Sequence, residues 1–161
     1  MLPLAISNFI GPVLLSPLFD IVGRRTMIAG TYAASGILLL VTAGLLGLDV
    51  FTAWTQTTAW MVIFFFASAA ASSAYLTASE IFPLEARALA IAIFYAIGTA
   101  IGGTTGPSLF GFLIGTGVIG AVAGGYAVAA VLMLIAATEL KFGIDAERRP
   151  LESIAQPLSS A

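Results

Sequence analysis

The sequence of 161 residues contains no cysteine and no histidine. Without thiols, neither a disulfide framework nor a thiolate metal site can form. Without imidazole, the commonest zinc ligand and the usual general base near neutral pH are both missing. Charge is scarce too: six Lys and Arg and eight Asp and Glu make up 9% of the chain, against roughly 25% in a water-soluble domain. Six cations are too few for a nucleic-acid surface. The acids lie in loops, at helix ends and in the tail, so no enzyme, no metal and no cofactor are expected. Met1 to Phe19 lacks a basic start and is interrupted by Pro3, Pro12 and Pro17, which does not read as a cleavable signal.

What remains is apolar. Hydrophobic residues supply 60% of the chain, and the mean hydropathy is +1.07. A bilayer-spanning helix needs about 20 mostly apolar residues, and the charge-free windows supply five. They run from Leu2 to Phe19, Met27 to Leu48, Ala59 to Ala78, Ala88 to Ile114 and Ile119 to Thr138. A polar link through Thr55-Gln56-Thr57-Thr58 precedes the third, and Gly115-Thr116-Gly117 turns the chain after the fourth. The fold expected is all-α, a polytopic bundle of five transmembrane helices over residues 1–140. Residues 141–161 read as a polar surface tail. Helices follow because hydrocarbon offers no water to satisfy an open strand edge.

Alternating the five helices places Arg24, Arg25, Arg87, Lys141, Arg148 and Arg149 on one side and no cation on the other. By the positive-inside rule that side is cytoplasmic, as is the C-terminus. The expected location is the cell (inner) membrane, multi-pass. Trp54 and Trp60 flank the outer end of the third helix, where they suit packing or interface anchoring, as do Tyr32 and Tyr126.

Two charge clusters interrupt the apolar run. The first is Asp20-Ile21-Val22-Gly23-Arg24-Arg25, in which Gly23 permits a tight turn and the acid can pair with the guanidiniums. The second is Ser79-Glu80-Ile81-Phe82-Pro83-Leu84-Glu85-Ala86-Arg87, a hinge where Pro83 stops one helix and Arg87 opens the next. Alone, the first is also an ordinary positive-inside loop and the second a capped helix end. Together, two spans apart, they resemble the major facilitator superfamily, most nearly its sugar-porter-like branch. There Asp/Glu-x-x-Gly-Arg-Arg joins helices 8 and 9, and Glu-x6-Arg joins helices 10 and 11. The tail from Asp145 to Ile154 is similar to that branch's Pro-Glu-Thr-Lys-Gly-x-x-Leu-Glu-x-Ile, without its proline and threonine.

The resemblance implies a partial major facilitator fold, helices 8 to 12 of twelve. The partners implied are the lipid bilayer, the missing N-terminal half and a small-molecule substrate; the five helices alone are not expected to transport. It also implies a cytoplasmic gate network of Asp20, Arg24, Arg25, Glu80 and Arg87. These charges lock the two halves together when the transporter opens outward. The function implied is transport of a small polar solute, sugar-like or organic acid, by alternating access. None of the eight acids lies mid-helix, so a proton-coupling carboxylate is expected outside this chain.

Sugar porters often place a tryptophan where this chain has Tyr75 and an asparagine where it has Gly98. Tyr75, Asn8, Tyr95 and Thr99 are the substrate-cavity candidates, although interhelical hydrogen bonding explains such residues about as often. The fourth helix carries Gly98, Gly102, Gly103, Gly106-Pro107 and Gly111. Spacing by four lines one face and suits close packing against a neighbouring helix. Gly102, Gly106 and Pro107 also suit a hinge, since Pro107 frees a carbonyl and bends the helix. This pattern resembles the glycine-proline motif in helix 5 of drug/proton antiporters. Two other readings stay open: a drug or organic-acid/proton antiporter, and a non-transporting membrane scaffold.

Overall fold

The computed structural model describes residues 2–138, without the side chains at 74, 76–81 and 84. The tail expected over 141–161 lies outside the described residues, as does the side chain of Glu80. Five helices account for nearly all of the described chain: α1 Leu2–Val22, α2 Arg24–Gly47, α3 Ala53–Ile81, α4 Leu84–Gly115 and α5 Ile119–Ala136. The helices at Leu2–Val22, Arg24–Gly47, Glu85–Gly115 and Ile119–Ala136 are each long and apolar enough to cross a membrane. At 29 residues, α3 reaches about 43 Å at 1.5 Å per residue.

The helices run further than the uncharged windows predict. Asp20 lies in the last turn of α1, Arg24 and Arg25 open α2, and Arg87 falls in the first turns of α4. The polar link read before the third span is helical as well, because Thr52 caps α3 in a reciprocal capping box with Thr55. Thr57 and Thr58 return their hydroxyl protons to the carbonyls of Ala53 and Trp54 at 2.8 and 2.9 Å. That leaves both hydroxyls satisfied inside the first turns. A window bounded by polarity ends too early, since a charged residue at a helix end stays wet and keeps helical dihedrals.

The connections are short, and each has a local cause. A single residue, Gly23, links α1 to α2 at φ 105 and ψ 136, a positive-φ conformation that suits glycine because it has no Cβ. Phe82 and Pro83 link α3 to α4, Phe82 being extended at φ −96 and ψ 143, as a residue before proline must be. Gly117, at φ 69, turns the chain between α4 and α5.

Up-and-down threading puts the α1–α2 and α3–α4 connections at the same end of the bundle. Ser7 of α1 donates to the carbonyl of Met61, and Gly11 lies against the carbonyl of Phe65, so α1 and α3 ascend side by side in the same direction. Helix α2 runs antiparallel to α5, with Gly36 against Leu134 and the carbonyl of Ala130. Between these pairs lie two apolar clusters. One joins Leu39, Ala43, Ile63, Tyr126 and Ala130 from α2, α3 and α5; the other joins Phe19, Ile28 and Ala69 from α1, α2 and α3. The buried hydroxyls of Thr31, Ser35 and Thr42 bond carbonyls of their own helix at 2.7, 2.8 and 2.8 Å. These three hydroxyls therefore sit in the apolar bundle without orphaned donors.

Helix α4 is the outlier. None of its Glu85–Gly115 window is buried. A Cβ built on Gly98, Gly102, Gly106 or Gly111 meets nothing within 4 Å. The close packing expected of this stripe is not present among the described residues. Glycine spacing opens a face to a neighbour but carries no information about which neighbour comes.

Candidate functional site: the charged end of the bundle

Asp20 and Arg24, on either side of Gly23, line one cleft of about 340 Å³ together with Pro12, Ser16 and Phe19 of α1 and Ala69, Ser72 and Ser73 of α3. The one-residue connection places the carboxylate and the guanidinium on consecutive helix ends. Packing of α3 along α1 brings the serines to them. Asp20, Arg24 and Arg25 each have an interaction partner. The Nε atoms of Arg25 and Arg87 are withdrawn from solvent, so these arginines are partly inserted into the bundle end rather than splayed over it.

The placement of these charges runs against the helices that carry them. A helix C-terminus favours cations and its N-terminus favours anions, each by about 0.3–1 kcal/mol. Here Asp20 and Glu80 stand in the last turns of α1 and α3, and Arg24 and Arg25 begin α2; neither α1 nor α3 has a base in its last turn. Glu85 alone follows the rule, in the first turn of α4.

Of the cavity candidates, Tyr75 and Tyr95 are brought together across the α3–α4 connection. Their ring centroids are 5.8 Å apart at an interplanar angle of 50°. Phe82 and Phe94 make a second such contact, at 6.0 Å. Thr99 lies one turn beyond Tyr95 and is exposed. Asn8 does not join them. It adjoins Ser7, which is level with Met61, and Tyr75 lies about 20 Å further along α3 at 1.5 Å per residue. Ser7 takes the inward position on that turn and Asn8 is exposed.

Gly106 and Pro107 border a second cavity, of about 570 Å³, lined also by Trp60, Phe64, Phe110, Tyr126 and Met133. Gly102 is not on its wall. Trp60 meets Tyr126 edge-on at 6.2 Å, and Phe110 meets it at 5.4 Å. The amide of Gln56 donates to the Tyr126 hydroxyl at 3.5 Å. Gln56 lies in a stretch that polarity alone marks as a link; the capping box at Thr52 is the signal that places it in a helix. Ser16, Ser72 and Ser73 were missed as neighbours of Asp20, since only packing of α1 on α3 brings them there. Among the described residues no group of three or more Asp and Glu is placed to hold a metal ion.

The fold and its charged end define a multi-pass helical membrane protein whose charged side chains, among the described residues, lie at or next to helix ends. The chain belongs to the major facilitator superfamily, whose family model matches residues 3–159. This is a family of membrane transporters, not of enzymes. Neither a curated protein nor a solved structure matches the chain.

Proposed function

We propose that this chain forms helices 8 to 12 of a longer major facilitator transporter, which moves a small polar solute, sugar-like or organic acid, across the inner membrane by alternating access. In this reading the charged end is cytoplasmic, and Asp20, Arg24, Arg25, Glu80 and Arg87 form its gate. The observation that carries it is the placement of Asp20 and Arg24 against their own helix dipoles at a shared cleft, with Arg25 next to them at the start of α2. Such charges gain from pairing when the end closes and excludes water, and return to water at little cost when it opens. They bias one conformation over another rather than holding a fixed one.

Tyr75 and Tyr95, with Thr99 a turn away, supply the ring faces and hydroxyls for the solute. Gly102, Gly106 and Pro107 let α4 flex. The test is uptake by the intact transporter in liposomes. Arg24→Ala and Glu80→Ala each lower uptake about tenfold, the range of a coupling energy of 1–3 kcal/mol, with membrane insertion unchanged. Unchanged uptake in both variants removes the gate.

A drug or organic-acid/proton antiporter is the second reading. The apolar cavity beside Gly106 and Pro107 favours it, since its wall of Trp60, Phe110 and Tyr126 suits an apolar molecule better than a sugar. Competition of uptake by sugars against hydrophobic cations separates the two.

A further inference from the structure

The cleft at Asp20 and Arg24 extends well beyond these two charges. Its wall climbs α1 from Asp20 through Ser16 to Pro12, two turns or about 12 Å into the bundle. On the α3 side it is faced by Ser72 and Ser73. An acid, a base and three hydroxyls therefore line a groove between α1 and α3, with Asp20, Ser16 and Ser72 exposed along it and Ser73 buried beneath. Its volume of about 340 Å³ has room for about ten waters at ~30 Å³ each.

The backbone of α1 adds acceptors without a helical donor on the same helix, one of them at Val13, within the span that the cleft follows. Pro12 and Pro17 both lie inside the helix. Each lacks an N–H, so the carbonyls of Asn8 and Val13, four residues earlier, have no helical donor. At membrane depth such carbonyls require a side chain or ordered water. Ser73 already donates to the carbonyl of Ala70 at 2.8 Å, which commits one of the three hydroxyls within α3.

We infer that this recess is a water-filled notch, open at the charged end, that admits water and small hydrophilic cations between α1 and α3 as far as Ser16. It hydrates Asp20 and Arg24 along the α1–α3 groove, so the two can move apart without either charge entering hydrocarbon. The notch stands independently of the transport reading, because its occupancy does not require a substrate.

The absence of cysteine makes the test clean. Ser16→Cys, Ser72→Cys and Val128→Cys are made singly in the full chain, embedded in lipid nanodiscs and treated with a membrane-impermeant cationic thiosulfonate. Val128, exposed on α5, reports the lipid-facing rate. A hydrated thiol ionises more readily than one in apolar surroundings, and each unit of thiol pKa changes the reactive thiolate about tenfold. Ser16→Cys and Ser72→Cys should therefore react at least about tenfold faster than Val128→Cys. Rates equal to that of Val128→Cys at either position overturn the notch. Deuterium exchange on the unmodified chain checks the same claim without any substitution. The amides of Val13 to Ser16 should exchange faster than those of Val128 to Val131, and equal protection overturns it.

Discussion

Gly11 of α1 faces the backbone carbonyl of Phe65 in α3 with no space for a Cβ between them. One turn earlier, Ser7 donates to the carbonyl of Met61. Small residues spaced by four thus bring α1 and α3 into backbone contact, and this pairing carries Asp20 to the serines of α3. Gly11→Ala should lower bundle stability by about 1–3 kcal/mol, the range for overpacking a close contact. Gly98→Ala, where a Cβ meets nothing within 4 Å, should stay within about 0.5 kcal/mol of the parent. Unfolding in mixed micelles measures both, and equal effects would contradict the packing described.

The turn at Gly23 offers a second test. At φ 105 and ψ 136 the residue lies outside the left-handed well that asparagine tolerates, so neither alanine nor asparagine fits without strain. Gly23→Ala and Gly23→Asn should each cost about 1–3 kcal/mol, read by thermal unfolding. Rescue by asparagine would mean that the turn has another geometry.

The Gln56–Tyr126 hydrogen bond joins the first turn of α3 to the middle of α5. Interhelical hydrogen bonds in membranes average about 0.6 kcal/mol and reach about 1.7. Tyr126→Phe and Gln56→Leu should show a coupling of that size in a double-mutant cycle. Strict additivity would remove the bond from the account.

Much of this architecture is legible in the uncharged windows, because about 20 apolar residues in a row leave little choice but a membrane helix. The number and order of helices follow from them, and Phe82-Pro83 marks its turn by the proline alone. The helix ends were less legible. Asp20 and Arg24 look like loop residues when charge is taken as a boundary, yet both are helical. Neighbours across helices were legible least. Nothing within α1 says that Ser7 rather than Asn8 turns inward, or that Ser72 reaches the cleft of Asp20. The glycines of α4 illustrate the same point: periodicity shows that a face is smooth, and only tertiary packing shows what lies on it.

The central claim is that the two charge clusters share one face of the membrane. Arg25→Cys and Glu80→Cys, made singly in a chain free of other thiols, test it directly when reconstituted in vesicles of uniform orientation. An impermeant thiol reagent added to one side should modify both variants from the same side and neither from the other. Modification of Arg25→Cys and Glu80→Cys from opposite sides would contradict the shared face and the gate built on it.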